Sequence, residues 1–243
     1  MRLVGSELLK VWTAPRTLIG IVLAELAIVG FATASVIDSW QSESDFGPRP
    51  DLERGLVGDA LGVSLAFAVV VGILIITWEY RHGTITQTFL TTPARERVLA
   101  AKAIVAAAIG SVLVLPALLL MLIIAELWVG EDFNFGGQEW RFVARLALAT
   151  AVVAVLGFEV GACTRRQLGA IIVFFVWFAF VEPAAEHLWS SGREYLPLHA
   201  VGGLLGTTGS TFPSFGRAAL ETAVYLVALG AAAVAITRRR DIT

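Results

Sequence analysis

Long apolar runs separated by shorter polar segments dominate the pattern of this chain. Six such runs are found: Thr17–Ile37, Leu56–Trp78, Ala103–Ala125, Phe142–Cys163, Leu168–Val181 and Ala218–Thr237. A helix needs about 20 mostly apolar residues to cross a hydrocarbon core about 30 Å thick. The pattern therefore predicts an all-α polytopic membrane protein in which a single domain, residues 1–243, contains six transmembrane helices.

The fifth run is shorter than the others. Leu168–Val181 would form about 21 Å of helix at 1.5 Å per residue, and the run stops at Glu182-Pro183. Residues 183–217 then alternate moderately apolar pieces with Gly, Ser and Pro, a pattern typical of short helices that enter a membrane and return. We expect a short fifth span followed by re-entrant helices on the external side. An ordinary external loop is the alternative.

The first 16 residues predict a separate amphipathic helix. Val4, Leu8 and Trp12 share one helical face, while the opposite face carries Ser6, Glu7, Lys10 and Thr13. Pro15 is expected to end this helix. Such a helix lies in the membrane interface, either as a plain anchor or as a contact for a cytoplasmic partner.

Composition and charge fix the class and the orientation. The chain is 57% hydrophobic with a mean hydropathy of +0.77, well above a soluble domain. Of its 18 Lys and Arg residues, twelve fall on one side of the predicted spans: Arg2, Lys10, Arg16, Arg81, Arg95, Arg97, Lys102, Arg165, Arg166, Arg238, Arg239 and Arg240. Basic residues concentrate on the cytoplasmic side, so both termini are expected there. The formal net charge of −2 gives no indication of a nucleic-acid partner.

Residues 79–102 form a polar segment between the second and third runs, and they predict a cytoplasmic loop. Gly83 should break the second span, after which Thr84 should cap a short helix. Ile85 and Phe89 share one face of that helix.

A second helix should follow the first within this loop. Thr92 is placed to cap it and Pro93 to occupy its first position, from which it leads through Arg95 into the third span. We expect two short helices at an angle, whose small apolar ridge docks in a groove of a soluble subunit. A helix lying on lipid is the alternative.

Four carboxylates lie within the predicted spans. Glu25 falls near the middle of the first, Asp59 and Glu221 near the outer ends of the second and sixth, and Glu159 near the inner end of the fourth. A charge in mid-bilayer costs on the order of 3 kcal/mol on insertion scales and usually faces protein or water. They are candidates for a translocation path, with Glu25 foremost. A protonated carboxyl that bonds a neighbouring helix is the alternative.

Small residues in the spans predict packing features. Gly62 and Gly72 are expected to let the second span approach another helix closely, and Pro116 is expected to kink the third.

The central loop resembles that of the type 2 permeases of ATP-binding-cassette (ABC) exporters, the membrane subunits of bacterial efflux systems. The matching residues are Glu79, Arg81, Gly83, Thr84, Thr91-Thr92-Pro93, Arg95 and Lys102, and the Ser6–Lys10 element and six-span layout are also similar. The resemblance implies a multi-pass protein of the inner (cytoplasmic) membrane that pairs with a second permease copy or paralogue. It also implies an ABC ATPase subunit, which the loop after span two and the N-terminal helix would couple to the spans.

This chain is not expected to be an enzyme itself. It contains no G-x-x-x-x-G-K-[ST] segment, so the resemblance leaves ATP and Mg to the partner subunit. His82, His187 and His199 show no zinc-site spacing, and Cys163 is the single cysteine, so no metal is expected.

Two other classes compete with the permease. A proton- or ion-coupled secondary transporter could use Glu25 and Asp59, although no matched pair of interrupted spans is found. An intramembrane hydrolase ranks third, because neither G-x-S-x-G nor H-E-x-x-H occurs.

Overall fold

The computed structural model describes residues 2–13, 15–43, 52–92, 94–130, 133–189, 192, 195–206 and 212–239, and every regular element among them is helical. The helices are α1 Arg2–Thr13, α2 Pro15–Glu43, α3 Leu52–Gly55, α4 Leu61–His82, α5 Thr84–Thr91, α6 Arg95–Trp128, α7 Gly137–Thr164, α8 Gln167–Val176, α9 Glu182–Leu188, α10 Pro197–Leu205 and α11 Phe215–Arg239. Single π-helical turns, Leu56–Ala60 and Trp177–Val181, join α3 to α4 and α8 to α9.

Among the residues that the structure describes, six helical stretches are long and apolar enough to cross a membrane, which confirms the predicted class. They are Arg16–Ser42, Leu52–His82, Arg95–Trp128, Gly137–Thr164, Gln167–Leu188 and Phe215–Arg238. Each extends beyond the corresponding apolar run, because polar residues at the ends of a run continue the helix toward the membrane surface. The chain is a multi-pass, all-α membrane protein.

The fifth span is longer than the sequence predicted. It continues through Glu182-Pro183 to Leu188 and contains 22 residues, so the expected stop at this dipeptide is wrong. Proline within a helix lacks one N–H donor and clashes with the preceding turn. The π-helical turn at Trp177–Val181 widens the backbone just before Pro183 and lets the helix continue past it.

The centre of the bundle is formed by α4, α6 and α7, which pack closely through glycines. A Cβ on Gly72 would collide with the backbone carbonyl of Ala154, and one on Gly157 would lie 2.5 Å from Val69 O. The prediction that Gly72 lets the second span approach another helix closely is thus confirmed. The same prediction for Gly62 is wrong, because Gly62 has open space around it. Helix α6 continues through Pro116 as one helix.

The segment after the fifth span contains the short helix α10, which packs against α7 and α11. The Glu182 carboxylate accepts a hydrogen bond from the backbone N–H of Leu198, in the first turn of α10. A carboxylate at this position accepts a hydrogen bond from a backbone N–H that has no acceptor within the helix. Its negative charge also interacts favourably with the positive end of the helix dipole. Since residues 183–188 continue span five, the predicted re-entrant segment begins later than residue 183. Its depth in a membrane stays a prediction.

Helices α1 and α11 meet at one end of the bundle. Leu3 of α1 packs with Val98 of α6 and with Ala233 and Val234 of α11 in a single apolar cluster. The loop between α4 and α6 joins the same cluster through Ile85. The N-terminal helix, the C-terminal end of α11 and the central loop therefore form one continuous surface.

Candidate functional site

The central loop turns sharply at Gly83. This residue has φ +68°, a left-handed conformation that glycine adopts without strain. Helix α5 begins at the next residue, Thr84, and no side chain caps its N-terminus. The predicted capping role of Thr84 is therefore wrong, because the glycine leads directly into the helix.

The second helix of the loop is continuous with the third span. Thr92 has an extended backbone, φ −132° and ψ 92°, and its N–H donates to Thr88 O, which closes α5. Ala94 precedes α6 and accepts hydrogen bonds from the N–H groups of Arg97 and Val98, so the expected cap at Thr92 is wrong. A residue before proline is restricted to extended conformations, which explains the geometry of Thr92. Pro93 lies outside the described residues.

The apolar ridge of α5 faces the protein itself. Ile85 and Phe89 are only 3% and 7% exposed and pack with Ile76, Val98 and Phe158. Burial of two such side chains stabilises the loop by roughly 3–6 kcal/mol. The expectation that this ridge docks in a groove of a soluble subunit is wrong, because the ridge is already covered.

The opposite side of α5 is open. Thr84, Gln87 and Thr91 are exposed, and Leu90 is an exposed apolar side chain at 77%. This face, which we call the outer face of α5, is the part of the loop that a partner can contact.

Four charged side chains form a cluster beneath the loop. Lys102 is 1% exposed, and its Nζ donates to Glu79 Oε1 at 2.6 Å and to Glu7 Oε2. Lys10 Nζ donates to Glu7 Oε1 at 2.7 Å and to Glu79 Oε1 at 3.1 Å. The cluster is neutral overall, and each lysine bonds both carboxylates, which offsets the cost of removing the charges from water.

The cluster joins separate helices. Glu7 and Lys10 belong to α1, Glu79 to the last turn of α4 and Lys102 to α6. Lys10 Nζ also donates to Thr88 Oγ1 of α5 at 3.2 Å. A displacement of α1 or α5 therefore acts directly on the ends of two central helices.

Lys10 stays charged over the whole physiological range. Burial by itself lowers the pKa of Lys10, but its hydrogen bonds to Glu7 and Glu79 and the charges of both carboxylates raise it above the ordinary 10.5. The Lys10 ammonium therefore keeps its charge at pH values near neutrality.

A cavity of about 620 Å³ lies beside the cluster, between α1, α2, α4, α5 and α6. Its polar wall includes the four charged residues with Thr84, Gln87, Thr88 and Thr91, and its apolar wall includes Leu18, Ile21, Leu74 and Ile75. Glu79 Oε2 is buried without a hydrogen-bond partner. The cavity thus borders both the charge cluster and one side of α5.

Two further arginines hold the end of α11, Arg95 at the start of α6 and Arg165 in the turn between α7 and α8. Arg95 Nη1 donates to Thr237 O at 2.7 Å, and its guanidinium lies over the Phe89 ring. Arg165 Nη2 donates to Ile236 O at 3.2 Å. Cations at these carbonyls satisfy free acceptors and favour the C-terminal helix dipole. Arg81, by contrast, is exposed and lies away from the charge cluster, beside a second cavity.

The intramembrane acids are not gathered into one site. Glu25 of α2 is completely buried, and both of its carboxylate oxygens lack a hydrogen-bond partner although Ser64 is near enough to interact with it. Glu159 of α7 is buried against Gly230 of α11. Neither residue lines the cavity beside the charge cluster.

The two shallower acids differ in exposure, because the Glu221 side chain is only 13% exposed and its Oε2 is buried without a hydrogen-bond partner among the described residues. Asp59 is exposed on the first π-helical turn. Glu221 Oε1 accepts a hydrogen bond from Arg217 Nε at 2.7 Å, one turn away on α11. The structure thus separates all four candidates for the translocation path.

Sequence reasoning missed the burial of Glu7. It assigned Glu7 and Lys10 to the polar face of an interfacial helix, whereas Glu7 is buried and points toward Lys102. A signal was present, since Glu79 and Lys102 are opposite charges that flank one loop and adjoin two spans. The side chain of Trp12 lies outside the described part of the structure.

Comparisons with protein-family models, with curated proteins and with solved structures found no match for this chain.

Proposed function

We propose that this chain is the permease subunit of an ATP-driven exporter of the type 2 ABC class. Two such subunits, identical or paralogous, form the translocation path across the cytoplasmic membrane. A separate ATPase subunit binds each of them from the cytosol, where both termini lie. ATP and Mg belong to that subunit, and this chain contributes the path and the mechanical coupling.

The observation that carries the proposal is the charge cluster of Glu7, Lys10, Glu79 and Lys102, in which every member except Lys10 is buried. It connects the two elements nearest the loop surface, α1 and α5, to the ends of α4 and α6. Because α4 and α6 both pack on α7 at glycine contacts, a displacement at the loop is transmitted to the whole bundle centre.

The burial of Ile85 and Phe89 determines which residues contact the ATPase in this proposal. The ATPase binds the outer face of α5, where Leu90 is the exposed apolar side chain. Gln87 and Thr91 flank it with side chains that can form hydrogen bonds. Force then passes through the buried side of α5 and the charge cluster into the spans.

Co-expression of this chain with candidate ABC ATPases from the same genome tests the proposal. We expect one candidate to copurify and to hydrolyse ATP in nanodiscs. The Leu90→Gln variant should weaken copurification by at least about tenfold, because an exposed leucine centred in an interface contributes roughly 1.5–3 kcal/mol.

Leu188→Gln is the matched control. Leu188 is 84% exposed at the far end of the fifth span, so this variant should bind the ATPase as the wild type does. Equal losses in both variants, or copurification with no candidate, would refute the proposed interface.

A proton-coupled transporter is the second candidate, and the unpartnered carboxylate oxygens of Glu25 and Glu159 favour it. Each of these buried acids would cost less free energy in the membrane interior as a neutral carboxyl than as a carboxylate, which is compatible with binding and releasing protons. Proteoliposomes containing only this chain should then expel ethidium in response to a pH gradient, and Glu25→Gln should abolish the efflux. Efflux that instead requires the ATPase and ATP supports the permease.

A further inference from the structure

A second cavity, of about 430 Å³, lies where the end of α4 meets the turn between α7 and α8. It is lined by Thr77, Arg81, Arg165, Arg166, Gln167, Leu168 and Ile171. Three of these residues are arginines, and none is acidic. The cavity is therefore strongly positive, and it is separate from the neutral charge cluster on the other side of α4.

The protein neutralises little of this charge. Arg81 and Arg166 are exposed and form no ion pair or hydrogen bond with any described residue. Arg165 donates only to the neutral Ile236 carbonyl and lies over the Tyr80 ring, and its buried Nε has no hydrogen-bond partner among the described residues. Arg165 also has a left-handed backbone, φ 57°, which is uncommon for a residue with a side chain. Three arginines thus line the cavity, and no described acidic side chain forms an ion pair with any of them.

Backbone donors add to the positive potential. Helix α8 begins at Gln167, and no side chain caps its N-terminus. The first hydrogen bond of this helix runs from Ala170 N–H to Arg166 O. The backbone N–H groups of residues 167–169 therefore have no acceptor within the helix, and they can bind an anion. Gln167 and Leu168, in this turn, line the cavity.

An apolar surface leads away from the cavity along α8. Leu168, Ile172 and Phe175 lie on one side of this helix, and all three are exposed, Leu168 by 70%. Since α8 belongs to a membrane-crossing stretch, this surface meets acyl chains while the three arginines lie at its polar end.

We propose that this cavity binds the phosphodiester headgroup of an anionic phospholipid, whose acyl chains lie along the exposed side of α8. The arginines and the free N–H groups of α8 bind the phosphate oxygens, and Leu168 contacts the first methylenes of the chains. Basic pockets between transmembrane helices are suited to such headgroups. This inference depends on the membrane-spanning architecture and is independent of the proposed ATPase coupling.

Lipid binding to the purified full-length chain tests the inference. Dioleoyl phosphatidylglycerol and dioleoyl phosphatidylcholine are titrated separately into detergent micelles, and binding is followed by native mass spectrometry and thermal unfolding. We expect phosphatidylglycerol to bind and raise the unfolding temperature, and phosphatidylcholine to do neither. The double variant R81Q/R166Q should bind phosphatidylglycerol at least about tenfold more weakly, because two surface cations are lost.

The double variant R16Q/R97Q is the matched control. Arg16 and Arg97 are also exposed and do not line the cavity, so removing the same charge there should change affinity less than threefold. Because Arg81 and Arg166 are exposed, R81Q/R166Q should fold; if it does not purify, the single variant R166Q provides the same comparison. Equal binding of both lipids, or equal weakening in both double variants, would overturn the proposal.

Two further measurements distinguish the phospholipid from other ligands of this cavity. Sodium phosphate at the concentration of the lipid should not raise the unfolding temperature. An increase equal to that caused by phosphatidylglycerol would identify a site for free anions and would contradict the lipid assignment. Copurification of a protein partner that is lost in R81Q/R166Q, with lipid binding unchanged, would assign the arginines to an acidic protein surface instead.

Discussion

Lys102 is a charged residue in an environment that excludes water, since its side chain is only 1% exposed. An isolated ammonium group in a protein interior costs several kcal/mol, yet Lys102 is among the largest fully buried side chains of the described residues. It is accommodated because Glu79 and Glu7 both accept hydrogen bonds from it. The arrangement is stable only while all its partners are present.

Removing this lysine should therefore destabilise the protein strongly. We expect Lys102→Met to lower the free energy of unfolding by about 3–5 kcal/mol, since it leaves two carboxylates that share only Lys10. Reversible unfolding in mixed micelles measures this change. The double variant E79Q/K102M, which leaves Glu7 paired with Lys10 and no uncompensated charge, should recover part of the loss; no recovery would mean that packing, and not charge, dominates at this position.

The pH dependence of the cluster follows from Lys10. Its pKa is higher in the folded protein than its ordinary value of 10.5, so its stabilising contribution is complete below that value and is lost as the pH rises through the folded pKa. Because Lys10 is about half exposed, the contribution should be under about 1 kcal/mol. The stability difference between the wild type and Lys10→Met should be constant from pH 7 to about pH 9.5 and shrink above about 10.5. A difference that already declines near pH 7 would contradict this assignment.

At the scale of elements, the crossing of α4 and α7 depends on the absence of side chains. Gly72 and Gly161 occupy positions where a Cβ would contact the opposite helix, and Gly157 meets the backbone of Val69. Helices in a membrane gain little from burying apolar surface, so close van der Waals contact between small residues holds them together.

Gly72→Ala should separate these helices. A Cβ at this position has no flexible neighbour to displace, because the obstacle is the backbone of Ala154. We expect a loss of about 1–3 kcal/mol in unfolding free energy, as for other overpacked sites. Gly62→Ala is the control on the same helix, where nothing lies within 4 Å, and it should be neutral or slightly stabilising. Similar stabilities for both variants would contradict the crossing described above.

The whole molecule is arranged asymmetrically about the membrane. The charge cluster, the outer face of α5 and the arginines that hold α11 share one end of the bundle. The positive-inside rule predicts that this end faces the cytosol. Leu188, at the end of the fifth span, lies on the other side of the bundle.

Cysteine labelling in membrane vesicles tests this orientation. In a Cys163→Ser background, the Gln87→Cys variant should react with an impermeant maleimide only in inverted vesicles, and Leu188→Cys only in right-side-out vesicles. Both parent side chains are exposed, so neither result should be limited by burial. The reversed pattern would invert the topology and remove the basis for cytosolic coupling.

The amino-acid sequence by itself determined the membrane class, the number of long apolar helices and the break at Gly83. These features depend on local chemistry: a span needs enough consecutive apolar residues, and a left-handed turn favours glycine. The continuation of the fifth span past Pro183 could not be predicted from the sequence, because it depends on a π-helical turn and no residue pattern predicts such a turn.

Only the tertiary structure decided what each loop residue contacts. The sequence identified Glu79, Lys102, Glu7 and Lys10 as candidates, but their pairing across α1, α4 and α6 depends on how three helices pack. In the same way, periodicity showed that Ile85 and Phe89 share a face without showing that this face packs against other helices, among them α4, α6 and α7. Periodicity fixes the angle of a side chain about its own helix axis, whereas contacts between helices depend on interactions distant in the chain.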